Sequence, residues 1–130
     1  MALPRWDEMD LAALVALDAQ GPGRWTNRLG DTNLNGRSYG GQLLAQAMMA
    51  ALLETPADRQ PTMMQFLFLQ GAMPFEPLDF QVMPLQDGKR FTSRHVRASQ
   101  ADRYVLDAQV TSALPLEAPE HGVPSTAPAG

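Results

Sequence analysis

The amino-acid sequence predicts an α+β domain in which a curved antiparallel sheet wraps around one buried helix. Residues 40–54 carry apolar side chains on most sides of a helical wheel, with Leu44 and Met48 on one side and Leu43 and Ala47 on another. A helix that is apolar on most sides is buried on most sides. The second half of the chain has the alternating pattern of strands, and a curved sheet of such strands covers a buried helix on one side.

The N-terminal part predicts a short helix followed by one strand. Asp7 is a suitable N-cap for a helix over residues 8–17, whose apolar residues recur at helical spacing. The Gly-Pro-Gly at 21–23 ends this helix, and residues 24–29 suit a first strand. Residues 30–41 are rich in Gly, Asn and Asp and predict a loop that leads into the buried helix.

After the buried helix, four closely spaced strands are predicted. Pro84 requires an edge, a bulge or a strand end, and Asp87-Gly88 has the composition of a hairpin turn. A further turn is expected at 99–102. Strands joined this closely are antiparallel, which gives a sheet of five or six strands in total. The four predicted strands are 63–69, 78–82, 91–98 and 104–111.

Domain organisation follows from a change of composition near the C-terminus. Residues 1–114 form one predicted domain, with helices at about 8–17 and 40–54. Residues 115–130 contain four prolines with Ala, Ser and Gly, which predicts a flexible tail.

Bulk composition excludes several classes of function. The chain of 130 residues has a formal charge of -4 and a pI near 5.0, which argues against nucleic-acid binding. It contains no cysteine, which excludes a thiolate metal site or a cysteine nucleophile. The acidic N-terminus lacks signal-peptide character and no apolar stretch is long enough to cross a bilayer. We therefore expect a cytoplasmic protein without a membrane partner.

Four segments together resemble a known enzyme family. The segment SYGGQLLAQA at 38–47 resembles the start of the central helix in the N-terminal hotdog of type II acyl-CoA thioesterases. Three further segments resemble motifs of that family in the same order, namely Phe68-Leu69, the hairpin at 86–94 and Ala118-Pro119-Glu120. The resemblance covers about residues 11–120. It implies a hotdog fold and action on acyl-CoA thioesters, with coenzyme A present only as part of the substrate and no separate cofactor.

The sequence departs from the family pattern in three respects. The family fuses two hotdogs in one chain, and this sequence corresponds to the first. The family's catalytic Asp, Ser/Thr and Gln lie mainly in the second hotdog, so those roles are not carried over. Two histidines of the family's strand appear here as Thr62 and Gln65, and its Arg-Pro-Gly appears at 70–72 as Gln-Gly-Ala.

The start of the predicted central helix supplies the first group of candidate site residues. The first amides of a helix are unpaired and lie at the positive end of its dipole, so they suit a polarised thioester carbonyl or its oxyanion. Gly41 and Gln42 are therefore expected to take part in catalysis, and Tyr39, Gly40 and Gln46 in substrate binding. Alternatively, the glycines serve only a tight turn, and the two glutamines are buried amides bonded to the backbone or line a dimer contact.

A second group of candidates lies on the predicted strands. Thr62 and Gln65 occupy the family's polar strand positions and are expected to be catalytic, although a satisfied core glutamine is an equal alternative for Gln65. Arg90 and Arg94 are expected to meet the phosphates of coenzyme A, with a solvated strand face as the alternative. Asp107 suits a solvated strand face better than a position facing the helix. His95 is explained by an exposed strand position, since no metal-ligand spacing surrounds it.

These observations lead to a specific expectation of function. A lone hotdog leaves a sheet edge uncovered, so we expect a homodimer or a higher oligomer. The protein is expected to hydrolyse or bind acyl-CoA or acyl-carrier thioesters at the dimer interface. The alternative is a non-catalytic acyl-thioester-binding domain, or one half of a split double hotdog that requires a separate partner. Dehydratase chemistry is not favoured, since no His–carboxylate arrangement is evident in the sequence.

Overall fold

A computed structural model describes residues 3–4, 10–30, 40–73 and 76–115. Within these residues, two helices and six strands follow one another. Their bounds are α1 Leu11–Val15, β1 Leu17–Gly21, β2 Arg24–Asn27, α2 Gly40–Leu53, β3 Gln60–Phe68, β4 Asp79–Asp87, β5 Phe91–Gln100 and β6 Arg103–Ala113. The expected tail at 115–130 lies outside the described residues except for Pro115.

All six strands form one antiparallel sheet in the order β1-β2-β4-β5-β6-β3. Helix α2 lies across one face of this sheet, which we call the helix face, and contacts five of the strands. We call the opposite side the distal face. One helix wrapped by a curved antiparallel sheet is the hotdog arrangement, so the predicted fold class is confirmed.

The core forms where α2 meets the helix face. Ala47, Ala50 and Ala51 of the helix are fully buried, and their small side chains let the helix approach the strands closely. The sheet contributes larger buried side chains, among them Phe80, Val96, Leu106 and Val110. Burial of this apolar surface is the main favourable term that holds α2 in the sheet.

The N-terminal region differs from the sequence expectation. Helix α1 covers only residues 11–15, and its N-cap is Asp10, whose carboxylate accepts from the amide of Ala12 at 3.0 Å. Asp7, the expected cap, lies outside the described residues. Residues 17–21, expected to contain the helix end and the turn, form strand β1, because the Gly-Pro-Gly makes a β-hairpin with β2 rather than a simple helix stop.

Gly23 shows why this hairpin needs glycine. Its φ is +69°, in the left-handed region, and a Cβ atom there would lie 2.8 Å from the carbonyl oxygen of Val82. The carbonyl of Gly23 accepts from the amide of Val82 at 2.7 Å. The turn therefore packs directly against β4, and only glycine fits at that position.

Strand β3 is one of the two edge strands of the sheet and is exposed along almost its whole length. Its apolar side chains are largely uncovered, since Phe66, Leu67 and Phe68 are 47%, 60% and 43% exposed. Met64 is the apolar residue of the strand that packs partly against the core. A long, apolar and uncovered edge strand usually marks an interaction surface.

Candidate functional site

Helix α2 begins at Gly40, as the sequence predicted, and presents its first turn beside the end of β3. A Cβ atom on Gly40 would lie 3.7 Å from Cζ of Phe68, which is ordinary van der Waals contact. Packing against the sheet therefore does not by itself require glycine at this position. Gly41 is exposed. This turn lies at the positive end of the helix dipole, where an oxyanion is favoured.

Two buried glutamines connect the start of α2 to α1. Gln42 Nε2 donates to Gln46 Oε1 at 3.3 Å, and Gln46 Nε2 donates to the carbonyl oxygen of Leu14 at 2.9 Å. Both side chains are almost fully buried. Gln46 therefore joins the two helices. This agrees with the alternative in which its side chain is a buried amide bonded to the backbone. Tyr39, the other candidate near this turn, lies outside the described residues.

Thr62 and Arg90 lie together at the opposite end of β3. They line a cavity of about 420 Å³ with Gln60, Phe91 and Leu114. Thr62 Oγ1 donates to the carbonyl oxygen of Thr111 at 3.2 Å. Thr62 and Phe68 are six positions apart along the strand, a distance of about 20 Å. Within one protomer, these candidates are thus far from the start of α2.

Arg94 is buried and holds the end of α2. Its Nε donates to the carbonyl oxygen of Glu54 at 2.9 Å, and it forms an ion pair with Asp87 at 2.8 Å. The guanidinium is 9% exposed and also donates to backbone carbonyls of β4 and β5. A cation at a helix C-terminus is favoured by the dipole. This geometry favours a structural role for Arg94 over the predicted phosphate contact.

Gln65 lies on the distal face, away from α2. It lines a shallow groove of about 300 Å³ with Leu67, His95, Asp107 and Gln109. Its side chain is exposed, so it is not the satisfied core glutamine considered from the sequence. The structure thus separates Gln65 from Gly41 and Gln42 within one protomer, on opposite faces of the sheet.

The distal groove contains a charged cluster that the sequence did not reveal. Asp107 accepts from Arg97 Nε at 2.8 Å and lies 3.2 Å from His95 Nε2. The hydrogen bond from Arg97 lowers the pKa of Asp107, with further lowering by the charges of Arg97 and His95 and partial opposition from burial. Arg97 also stacks over the ring of Tyr104, 4.6 Å from its centroid. Asp107 therefore faces away from α2, in agreement with the preferred sequence interpretation.

The sequence does not predict this cluster, because a register shift in the pairing of β5 and β6 decides which residues lie opposite each other. A bulge between Ala98 and Ser99 moves the pairing of β5 and β6 by one residue, so that Arg97 lies opposite Asp107. Without the bulge, Arg97 would lie opposite an apolar neighbour. A turn at 101–102 is visible in the sequence, but the bulge is not.

Comparison with known proteins connects this geometry to a family. The family model for the acyl-CoA thioesterase N-terminal domain matches residues 30–113, which is more than half of the chain. The chain belongs to the acyl-CoA thioesterase N-terminal domain family. The match includes the start of α2, the exposed strand β3 and the hairpin that carries Arg90.

Individual proteins agree with this assignment to the acyl-CoA thioesterase family. The chain is 27% identical over 77 residues to peroxisomal acyl-coenzyme A thioester hydrolase 1 of Saccharomyces cerevisiae, covering 59% of this chain and 22% of the yeast protein. A TesB protein of Mycobacterium avium subspecies paratuberculosis superposes with a TM-score of 0.74 at 28% identity, over 90% of this chain and 46% of that one. The chain therefore spans about half, or less, of these relatives.

A hypothetical thioesterase protein of Streptococcus pneumoniae, whose crystal structure contains coenzyme A, shares the fold at a comparable chain length. Its TM-score is 0.66 at 15% identity, with 77% of this chain and 84% of that chain covered. Within the described residues of our chain, no helix is long and apolar enough to cross a membrane.

Proposed function

We propose that this chain binds acyl-CoA thioesters at the start of α2 and hydrolyses them in a hotdog dimer. The observation that carries this proposal is the position of Gly40, Gly41 and Gln42 at the first turn of the central helix of a thioesterase-family hotdog. The positive end of the helix dipole at that turn suits the carbonyl oxygen of a thioester, which becomes an oxyanion when water attacks.

The reaction requires an activated water molecule as well as a polarised carbonyl. Water adds to the carbonyl carbon, the C–S bond breaks, and the products are a carboxylic acid and the free thiol of coenzyme A. A carboxylate normally removes the proton from the attacking water. Glu54 lies at the far end of α2, where it accepts from Trp25 Nε1 at 2.7 Å, and Asp107 lies on the distal face. We therefore assign the activation of water to a polar group across the dimer interface.

The exposed edge of β3 supports the dimer. The amide of Leu69 donates inward to Val105 at 2.8 Å, so alternation along the strand directs the backbone groups of Phe68, Phe66 and Met64 to the free edge. We propose that two copies pair through these edges, which makes one continuous sheet and covers the exposed apolar side chains. Such a two-fold contact is self-complementary.

A proline substitution tests the strand pairing. Phe66→Pro removes one outward N–H, which an edge strand tolerates because that group does not bond within the protomer. The variant should remain folded but appear as a monomer by native mass, whereas Phe66→Ala should remain a dimer. If Phe66→Pro retains the wild-type native mass, pairing through this edge is ruled out.

The hydrolytic activity is tested with short-, medium- and long-chain acyl-CoAs and detection of the released thiol. The wild-type protein should hydrolyse at least one of them well above background. Gln42→Ala should reduce turnover, while Gln109→Ala, which changes a polar side chain of the distal face, should not. Absence of turnover with every chain length would refute the hydrolase proposal.

The second candidate is a domain that binds acyl thioesters without catalysis. It is favoured because Glu54 is hydrogen-bonded to Trp25 and because the sequence has no Asp or Glu between residues 32 and 53 that could activate water. In that case acyl-CoA analogues should raise the thermal stability of a protein that shows no turnover. A separately encoded hotdog that co-purifies with the chain would instead indicate a split enzyme.

We further propose that the protein works in the cytoplasm. The yeast relative, by contrast, is named as peroxisomal. Fractionation of cells that express the tagged full-length protein would test it, and recovery in an organelle fraction would contradict it.

A further inference from the structure

The turn between β5 and β6 has a strained backbone. Its two central residues, Ala101 and Asp102, have φ values of +46° and +67°, in the left-handed region. Hairpin turns of two residues usually place Asn, Asp or Gly at such positions, so the alanine is unfavourable there. Strain of this kind persists only where the surrounding structure holds it in place. The turn sets Gln100 of β5 directly opposite Arg103 of β6, and both side chains bond to the same neighbouring part of the chain.

Gln100 holds the segment that follows β3, residues 69–73, which we call the anchored segment. Its Oε1 accepts from the amide of Met73 at 2.8 Å, and its Nε2 donates to the carbonyl oxygens of Met73 at 2.9 Å and of Glu76 at 3.0 Å. The Gln100 side chain is 2% exposed. A buried amide whose bonds all go to the backbone of another segment fixes that segment in one position.

The anchored segment also differs from the family motif. The motif has proline where this chain has Gly71. Proline fixes its own φ, whereas glycine is the most permissive residue, so the segment needs another constraint. Arg103 donates to the carbonyl oxygen of Gly71 and to Gln70 Oε1, both at 3.4 Å, and Gln70 Nε2 donates to the carbonyl oxygen of Tyr104 at 3.2 Å. These contacts are long and largely exposed, so the three bonds of Gln100 are the main constraint.

The anchored segment starts beside the first turn of α2. A Cβ atom placed on Gly40 would lie 3.7 Å from Cζ of Phe68, the last residue of β3. Leu69 follows directly, and its side chain is 44% exposed. Three residues later, Ala72 is 1% exposed and packs in the core. An exposed apolar side chain therefore lies next to the candidate thioester site, and its position depends on how the segment is held further along.

We propose that Gln100 is a positioning residue for the thioester site. It acts through the anchored segment, which forms a wall beside the start of α2 and contacts bound acyl-CoA through Leu69. This inference rests on the proposed function. Gln100 is buried and does not itself touch the substrate. Because the wall contacts the substrate in the ground state and in the transition state alike, its displacement should raise KM and leave kcat nearly unchanged.

Kinetics of Gln100→Met test this role, because the variant keeps the size of the side chain and removes its three bonds. KM for acyl-CoA should rise about 10-fold, as expected for the loss of one apolar contact, while kcat changes less than about 2-fold. Gln100→Glu keeps the acceptor for the Met73 amide and should give an intermediate KM. Gly23→Ala, which destabilises a distant turn, and Ala101→Gly, which relieves the strain next to Gln100, should both retain the wild-type KM. The dissociation constant replaces KM if the protein binds acyl-CoA without hydrolysing it.

Hydrogen exchange at the Met73 amide shows whether the segment is released. Exchange should be about 10-fold faster in Gln100→Met and unchanged in Ala101→Gly. A wild-type KM in Gln100→Met would overturn the positioning role, whether or not this exchange is faster. An equal rise of KM in Gly23→Ala would also overturn it, because the effect would then reflect stability alone. A wild-type protein that neither binds nor hydrolyses any acyl-CoA would refute the proposed function itself, a result that appears without any substitution.

Discussion

Replacement of Arg94 by alanine removes the guanidinium that joins the end of α2 to the sheet. The variant loses the bond to the Glu54 carbonyl at 2.9 Å and the ion pair with Asp87 at 2.8 Å, in an environment where the arginine is 8% exposed. The Glu54 carbonyl is left without this charged donor, and the helix dipole loses a nearby cation. Together these losses should cost about 3 kcal/mol of unfolding free energy.

The assays are urea unfolding and thermal unfolding, both followed by circular dichroism in the absence of any ligand. For a chain of this size, a loss of about 3 kcal/mol lowers the melting temperature by about 10 °C. The matched control is Arg28→Ala, since Arg28 forms an exposed ion pair with Asp18 at 2.8 Å and should contribute less than about 1 kcal/mol. If Arg94→Ala is as stable as the control but loses affinity for coenzyme A, the structural role is refuted and the phosphate contact predicted from the sequence is supported.

Three further variants test other parts of the structure by urea unfolding. Gln46→Ala leaves a buried carbonyl of α1 without its donor and should cost about 1–3 kcal/mol, so an unchanged midpoint would contradict the buried amide connection. Gly23→Ala places a Cβ atom 2.8 Å from the Val82 carbonyl oxygen at a φ of +69°, and should cost at least about 2 kcal/mol; a neutral result would mean that the turn moves freely. Asp107→Asn should modestly lower the free energy of unfolding at pH 7, because Arg97 lowers the pKa of Asp107 and the charged carboxylate stabilises the folded state. The difference between variant and wild type should vanish as the pH falls well below 3.8, because protonation then removes the same charge from the wild type. A difference that persists at low pH would contradict this origin.

The sequence predicted the central elements of the fold for clear physical reasons. The helix that begins at Gly40 was identified because its residues are apolar on most sides, and the hairpin at Asp87 because Asp-Gly supplies turn chemistry. Strand β1 was missed because Leu17 fits the end of an apolar helix as well as the start of a strand. Only its pairing with β2 decides between them.

The sequence predicted less of the candidate site than of the fold. The inward position of Arg94 could have been found from its phase, because it alternates together with the buried residues Thr92 and Val96. The meeting of Arg97 with Asp107 could not, because it depends on a bulge. The separation of Gln65 from Gln42 depends on which face of the edge strand points towards α2, which no local pattern in an almost continuous apolar run reveals.

We propose that the catalytic site lies at the interface between two copies of the chain. It is tested most directly by measuring acyl-CoA turnover and native mass on the same samples of wild type, Phe66→Ala and Phe66→Pro. Turnover should follow the dimer, present in wild type and in the alanine variant and lost in a folded, monomeric Phe66→Pro. Full turnover by a monomeric Phe66→Pro would show that one hotdog contains the whole site, and would contradict the claim.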